Sequence, residues 1–194
     1  MPRTTQADFK LTQQKIVKAA AVQLRKHGVR GVSLAKVMRE VGQTVGGYYN
    51  HFPSRQALVL EAFGLAMDEQ TRRWQHACEK TDRETATREI VAEYLSPRHR
   101  DSFGNGCPLP ALAADIGREN LEVRKIFAAR LDEMLQALAA RGNSTRARQQ
   151  ATALIASMLG AVVLARACAG TELSAEILEH VREELQAGDQ SPAA

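Results

Sequence analysis

The chain has 194 residues, of which 44% are hydrophobic and 25% are charged, and its formal net charge is +4. This length and composition allow one or two small domains with a hydrophobic core. Three widely spaced cysteines exclude a disulfide framework or a cysteine-rich zinc site. The N-terminal segment lacks the apolar core of a signal peptide because Lys15 and Lys18 interrupt it, so we expect a protein of the reducing cytoplasm.

The positive charge is concentrated in the N-terminal quarter of the chain. Residues 1–56 contain ten Lys or Arg and two Asp or Glu, a charge of +8, whereas residues 57–194 carry −4. This distribution favours contact between the N-terminal part and a polyanion. A basic face that is merely solvated explains the same charges, so composition alone leaves both interpretations open.

Two further classes of protein are excluded by pattern. The most apolar run, residues 151–165, consists largely of Ala and includes Thr152 and Ser157, so it is too short and too weakly apolar to span a bilayer. The sequence contains no glycine-rich phosphate loop, no pair of histidines at metal-ligand spacing and no nucleophile motif. We therefore predict no membrane partner, no enzymatic activity, no cofactor and no metal site.

The N-terminal elements are predicted to be four helices. Abundant Ala and Leu favour helix along nearly the whole chain, and the first helix spans about residues 8–27. Ser33 is a favourable N-cap for a second, short helix, Thr44 for a third of about two turns, and Ser54 for a fourth that runs to about residue 79. Two short helices joined by a turn that contains glycine fit a helix-turn-helix.

The third of these helices contains two adjacent glycines, Gly46 and Gly47. Each glycine costs about 1 kcal/mol relative to Ala in a helix interior. A helix that only packs inside a protein does not need them, whereas close approach to the backbone of a partner does. The pair indicates a helix that contacts a partner.

Beyond residue 80 the pattern predicts a helical bundle, so the fold class is all-α. The predicted helices span about residues 83–95, 108–117, 120–140, 144–169 and 174–187. A loop of residues 96–106, which contains glycine, serine and proline, joins the first two of these helices.

About 50 N-terminal residues carry a specific pattern. It reads Gly-x-Thr-x-Gly-x-x-Tyr-x-His-Phe from Gly42 to Phe52, followed by Pro53-Ser54-Arg55 and preceded by Ala19-Ala20, Leu24, Gly28, Ser33-Leu34 and Val37. These residues resemble the N-terminal domain of TetR-family transcriptional regulators of bacteria. The resemblance implies a helix-turn-helix DNA-binding domain at residues 1–55 and a helical effector-binding and dimerisation domain at 56–188. We expect residues 189–194 to be a disordered tail.

In such a domain the third helix enters the major groove with its first residues near the base edges. On this geometry the predicted base contacts come from the following residues: Gln43, Val45, Gly46, Gly47 and Tyr48. The predicted phosphate contacts come from these side chains: Ser33, Thr44, Tyr49, His51 and Arg55. Each has a structural alternative, since Ser33 and Thr44 are also helix caps, and Tyr49 and His51 also suit plain packing.

One short recognition helix reads too little DNA, so we expect a homodimer that binds a palindromic operator. The last two predicted helices, about residues 144–187, carry apolar stripes suited to pairing, with internal core as the rival interpretation. Between the DNA-binding part and this surface the resemblance implies an effector pocket. Its candidate lining residues, each also explained as plain core, are Trp74, Tyr94, Phe103, Phe127 and Met134.

Cys107 is the sharpest local feature of the C-terminal part. It precedes Pro108 at a predicted helix start, where the helix dipole lowers the pKa of a thiol. The segment from Gly106 to Ala113 resembles a TetR subgroup that includes repressors sensing electrophiles or oxidants. This implies a sensor, whereas a buried and inert cysteine is the alternative.

The predicted function is therefore a DNA-binding transcriptional regulator that is released by a small-molecule or thiol-reactive effector. Repression is the family's usual mode, and activation is the alternative that the residues leave open. A helical ligand-binding or scaffold protein without specific DNA binding is the rival class, and the +8 N-terminal quarter counts against it.

Overall fold

The computed structural model describes residues 6–139 and 144–187, and within these ranges helices are joined by turns and short loops, with no strand. The N-terminal helices are α1 (Gln6–His27), α2 (Leu34–Glu40), α3 (Val45–Tyr48) and α4 (Arg55–Lys80). They are followed by α5 (Arg83–Tyr94), α6 (Pro97–Asp101), α7 (Leu109–Ile116), α8 (Leu121–Ala139), α9 (Thr145–Ala167) and α10 (Glu172–Ala187). The prediction of an all-α fold is confirmed, whereas the predicted tail at 189–194 lies outside the described residues.

The N-terminal helices begin and end where local chemistry dictates. The hydroxyls of Ser33, Thr44 and Ser54 each accept a hydrogen bond from the backbone N–H three residues further on, which satisfies one of the free donors of the first turn. Gly28 and Gly42 follow α1 and α2 with φ of 70° and 71°, a conformation that side chains rarely adopt. The three predicted caps are therefore confirmed.

Two elements differ from the prediction. The predicted loop at 96–106 contains the short helix α6, whose N-cap Ser96 accepts from the backbone N–H of His99 and whose first residue is Pro97. The third helix is a single turn rather than about two turns, because Tyr48 is its last residue. The glycines that weaken the helix account for its shortness.

Helix α4 connects the two parts of the molecule. It packs against α1 on the N-terminal side and against α5 and α8 on the C-terminal side, while α9 packs against α7, α8 and α10. Near the middle of α4, Glu69 forms a 2.5 Å ion pair with Arg25 of α1, and the side chain of Arg25 is only 5% exposed. A continuous helix with partners on both sides ties the orientation of α1 to the C-terminal bundle.

Helix α9 is more apolar than the sequence analysis of residues 151–165 indicated. Among the described residues it is the one helix long and apolar enough to cross a membrane, with a mean hydropathy of 1.5 over its most apolar window. A single helix of this kind is also typical of soluble helical bundles. Only a third of that window is buried, so much of its apolar surface is left open.

Candidate nucleic-acid interface

The N-terminal turn of α3 exposes the side chain of Val45 and, beside it, the bare backbone of Gly46. Val45 is 47% exposed, Gly46 is exposed and Gly47 is half-buried. A Cβ atom built on Gly46 would meet nothing closer than the Thr44 hydroxyl at 3.9 Å, so internal packing does not require glycine there. The absence of a side chain at Gly46 leaves this turn open to a close approach by an external partner.

Tyr48 does not face this open surface, so its predicted base contact is wrong. Its side chain is fully buried, its hydroxyl donates a 2.6 Å hydrogen bond to the carbonyl of Ser54, and its ring stacks on Phe52. Burial raises the pKa of the Tyr48 phenol. Helical residues that are neighbours in sequence point about 100° apart, so only one of the two adjacent tyrosines faces the core.

Tyr49 is the tyrosine that faces solvent. Its side chain is 67% exposed, and its ring meets the edge of Tyr48 at a centroid distance of 5.2 Å. The phenol therefore lies at the exit of α3 on a rigid support, and a contact with a phosphate stays a prediction for this residue. Gln43 and Thr44 are also exposed on the turn before α3, while Ser33 is half-buried at the start of α2.

Arg55 has a structural role that the sequence analysis did not predict. Its Nη2 donates to the carbonyls of Val29 at 2.6 Å and Arg30 at 3.3 Å, and its Nε donates to the carbonyl of Val32 at 3.3 Å. These contacts, here called the Arg55 clamp, fasten the first residue of α4 to the turn between α1 and α2. Nε and Nη2 of the guanidinium therefore donate to the protein itself. A phosphate contact of Arg55 through Nη1 stays a prediction.

His51 is held between α1 and the segment that follows α3. Its ring stacks on Phe9 with a centroid distance of 4.4 Å, and among the described residues its buried Nδ1 has no hydrogen-bond partner. The half-buried ring is therefore fixed in place by stacking. Its predicted phosphate contact remains a prediction.

Two basic residues of α2 were missed by the sequence analysis. Lys36 and Arg39 lie three residues apart on the exposed side of α2, opposite the fully buried Val37 and Met38. Residues with this spacing share one face of a helix. The sequence contained a signal for them, because the apolar residues of α2 define its buried face and leave these two cations on the exposed face.

The predicted effector residues of the bundle lie in packed surroundings. Trp74, Tyr94 and Met134 are buried core residues, and the rings of Trp74 and Tyr94 pack 5.9 Å apart. Half-buried Phe127 stacks on Phe63, with 5.8 Å between the ring centroids. The burial and ring contacts agree with the alternative interpretation, in which these side chains are part of the hydrophobic core.

Phe103 lies on the surface rather than in a pocket. Its side chain is 46% exposed, and the guanidinium of Arg166 lies over its ring at 4.7 Å from the centroid. This is a cation–π contact between the α6–α7 segment and α9. The prediction that Phe103 lines an interior effector pocket is therefore wrong.

Cys107 is buried and does not have a lowered pKa. It is 2% exposed, its backbone N–H donates to Nε2 of His99 at 3.0 Å, and its thiol is hydrogen-bonded to Tyr94. Burial raises the pKa of the thiol above its usual value. Helix α7 begins only at Leu109, so Cys107 does not lie in its first turn. The predicted activation by the helix dipole is wrong.

These features define a class of protein. A capped helix α2 with exposed basic residues precedes a short helix with bare backbone at its N-terminus, which is the arrangement of a helix-turn-helix DNA-binding domain. No group of three or more potential metal ligands occurs within the described residues.

Comparison with known proteins agrees with this class. Residues 16–62 match the family model described as bacterial regulatory proteins of the tetR family. A TetR transcriptional regulator from Chloroflexus aurantiacus has a similar structure over 93% of this chain and 95% of its own, with a TM-score of 0.75 and 26% identity. The N-terminal part of the chain, residues 16–62, therefore matches the tetR family, and the chain as a whole is similar in structure to a regulator of that family.

Two further similarities are to regulators of Bacillus subtilis. The structure of the transcriptional regulator FadR from Bacillus subtilis in complex with stearoyl-CoA matches 90% of this chain and 98% of its own, with a TM-score of 0.65 and 16% identity. The uncharacterized HTH-type transcriptional regulator YerO of Bacillus subtilis is 25% identical over 120 residues. That match covers 59% of this chain but only 40% of YerO.

Proposed function

We propose that this protein is a cytoplasmic, homodimeric regulator that binds a palindromic DNA operator through α3 and represses transcription. The observation that carries the proposal is the turn of Val45, Gly46 and Gly47, in which the exposed backbone of Gly46 lies at the surface of the +8 N-terminal quarter. A partner with closely spaced negative charges and a groove as wide as a helix fits both features, and duplex DNA has both.

The proposed contacts divide into two kinds. Val45 and Gln43 contact base edges, where the isopropyl group of Val45 suits a thymine methyl group. The exposed hydroxyls of Thr44 and Tyr49 and the cations of Lys36 and Arg39 contact phosphates, which position the protein without reading sequence. Because several phosphates are neutralised, the affinity falls steeply as salt is added.

The proposed dimer surface is the open face of α9 and α10. Val163 and Leu164 of α9 are 42% and 57% exposed, and Leu173 of α10 is 51% exposed. Beside them, a Cβ atom built on Gly160 would have no neighbour within 4 Å. The two helices pack against each other within the chain, so a second copy covers their outer faces and forms a four-helix interface.

A twofold dimer explains how one turn of α3 achieves useful specificity. Two copies present two α3 helices to half-sites separated by one helical turn, about 34 Å. Release from DNA is proposed to follow from a small effector that favours a different spacing of the two α3 helices. The bound stearoyl-CoA of FadR supports a small-molecule effector as the class of signal, and nothing more specific.

A thiol-reactive effector is less favoured by the geometry. The buried Cys107 thiol with its raised pKa reacts slowly in the folded state. Treatment with N-ethylmaleimide and comparison with Cys107→Ser decide the point. Release of DNA from the wild type but not from the variant would establish Cys107 as a sensor.

The experiment that tests the proposed function is selection of DNA from a random duplex library by the purified full chain. A palindrome of two half-sites is expected, and fluorescence anisotropy then measures its affinity against a scrambled duplex. A transcription assay with this site overlapping a promoter distinguishes repression from activation. Enrichment of no sequence, with equal affinity for both duplexes, would favour the rival ligand-binding or scaffold protein.

A further inference from the structure

A cavity of about 310 Å³ lies where the DNA-binding helices meet the C-terminal bundle. Its wall includes Leu24 of α1, Val59 and Phe63 of α4, Ile116 of α7 and Val123 of α8. All five side chains are apolar and more than nine-tenths buried. We call this space the joint cavity, and none of the predicted effector residues lines it.

The mouth of the joint cavity is polar but carries no net charge. It is formed by one cation, Arg55, one anion, Glu119, and two amides, Gln56 and Asn120. Arg55, Gln56 and Asn120 are exposed and Glu119 is half-buried. Amide side chains donate and accept hydrogen bonds equally well, so this mouth suits a neutral hydrogen-bonding group.

The turn between α1 and α2 is tied to two sides of the same cavity. Val29, which also lines it, accepts a hydrogen bond from the Arg55 clamp through its carbonyl. Its backbone N–H donates to the carboxylate of Asp115 in α7 at 3.0 Å. At the preceding residue, Gly28, a Cβ atom would overlap that carboxylate, which shows how closely the turn approaches α7.

We propose that the joint cavity is a binding site for a small, neutral, mainly apolar molecule with one hydrogen-bonding end, and that its occupant changes the affinity for DNA. A cavity of this size holds roughly ten to fifteen non-hydrogen atoms. An ionised group is excluded from its apolar wall because burying an unpaired charge is strongly unfavourable. The bicyclic aromatic alcohol 2-naphthol has this size and chemistry.

Occupancy and DNA binding are coupled through the residues that they share. The occupant touches Val29 and Arg55, whose contacts set the position of the α1–α2 turn relative to α4. A ligand shifts an equilibrium only through its different affinity for the two states. An occupant that contacts both the α1–α2 turn and α4 has such a difference if the two states differ in the position of this turn relative to α4. This coupling rests on the proposed DNA-binding function, whereas binding of the ligand itself does not.

The binding half is tested by isothermal titration calorimetry of the full chain with 2-naphthol, 2-naphthoate and 2-naphthylmethylammonium. We expect saturable binding of 2-naphthol at one site per chain, at least about tenfold tighter than either ion. Val123→Phe fills the cavity and should abolish this binding. The matched control Leu121→Phe adds the same ring on the same helix at a residue that is 59% exposed, and should leave binding unchanged.

A second variant decides the matter if Val123→Phe fails to fold. Glu119→Gln removes the anion from the mouth without altering the wall, so the ratio of the affinity for 2-naphthoate to that for 2-naphthol should rise several-fold. Absence of saturable 2-naphthol binding would overturn the proposal. So would 2-naphthol binding that a folded Val123→Phe variant retains, or a ratio of 2-naphthoate to 2-naphthol affinity that Glu119→Gln leaves unchanged.

The coupling half is tested by anisotropy with the selected duplex. Saturating 2-naphthol should change the DNA affinity by at least about fivefold, and the duplex should change the affinity for 2-naphthol by the same factor. Unchanged DNA affinity in the presence of bound 2-naphthol would overturn the coupling. A protein that binds 2-naphthol in the joint cavity but binds no DNA would instead refute the proposed function and leave the site intact.

Discussion

The hydroxyl of Tyr48 donates a 2.6 Å hydrogen bond to the main-chain carbonyl of Ser54, the residue that caps α4. The end of α3 is thereby joined to the start of α4. Tyr49, the next residue, is 67% exposed. Tyr48 therefore contributes to the stability of the fold, whereas Tyr49 is available for contact with a partner. Substituting each tyrosine separately distinguishes the two roles.

Tyr48→Phe is expected to destabilise the protein by about 1 kcal/mol, the usual net contribution of one hydrogen bond. Tyr49→Phe is expected to leave the free energy of unfolding unchanged and to weaken binding to all duplexes alike. Urea unfolding of both variants measures the free energy of unfolding, and fluorescence anisotropy measures their affinity for DNA. A changed sequence preference in Tyr48→Phe would contradict the buried position of that ring.

Replacing Arg55 tests the Arg55 clamp. Arg55→Lys keeps the charge but cannot donate to three carbonyls from one planar group, so the N-terminal helices should unfold more readily, by about 1 kcal/mol. Hydrogen exchange of the backbone amides of α2 and α3 measures the local effect. Arg39→Lys is the matched control, since Arg39 is exposed on α2, and it should leave exchange unchanged. Equal exchange rates in Arg55→Lys and Arg39→Lys would contradict the structural role of Arg55.

His99 predicts a pH dependence of stability. Burial lowers the pKa of its imidazole to about 4, and the neutral ring accepts from the backbone N–H of Cys107 while its Nδ1 lies 2.7 Å from the carbonyl of Tyr94. In the unfolded chain the pKa is about 6.5, so below that pH the unfolded state binds a proton that the folded state does not. The folded state should therefore lose up to about 3 kcal/mol between pH 6.5 and 4.

Urea unfolding at several pH values between 7.5 and 4 measures this loss. His99→Gln should flatten the profile because the titrating group is gone, whereas the control His180→Gln, at an exposed position of α10, should not. A profile that is the same in the wild type and His99→Gln would show that other groups cause the acid sensitivity.

The dimer surface is tested by charging its centre. Leu164→Glu places a carboxylate on the open face of α9, where an unpaired charge would be buried in the dimer, and should give a monomer with strongly reduced affinity for the selected palindrome. Light scattering after gel filtration measures the mass. Leu121→Glu, at an equally exposed leucine of α8, is the control and should remain dimeric. A wild-type protein that is monomeric at micromolar concentration would refute this surface.

The sequence predicted best what local chemistry determines. The caps at Ser33, Thr44 and Ser54 and the turn at Gly42 each depend on residues only a few positions apart. The orientation of Tyr48 was beyond such reasoning, because a helix of one turn is too short to show which face is apolar. Its burial depends on Phe52 and on the start of α4.

The effector region could not be predicted for a different reason. Whether Trp74 lines a cavity or fills the core depends on how distant helices pack, which no local pattern records. The joint cavity combines residues of α1, α4, α7 and α8, which lie far apart in the chain. The burial of Cys107 likewise depends on the contacts of its backbone with His99 and of its thiol with Tyr94, rather than on its position before a proline.

Close contact with DNA is the role that we propose for the bare turn of α3. Its most direct test measures both the stability and the selected-duplex affinity of Gly46→Ala. Ala has room at this position and is the better helix former, so unfolding should cost about 1 kcal/mol more than in the wild type. The added methyl group faces the partner, so DNA affinity should fall at least about tenfold. Gly64→Ala on α4 is the control and should leave DNA affinity unchanged. A stabilised Gly46→Ala protein with undiminished DNA affinity would contradict this role of the turn.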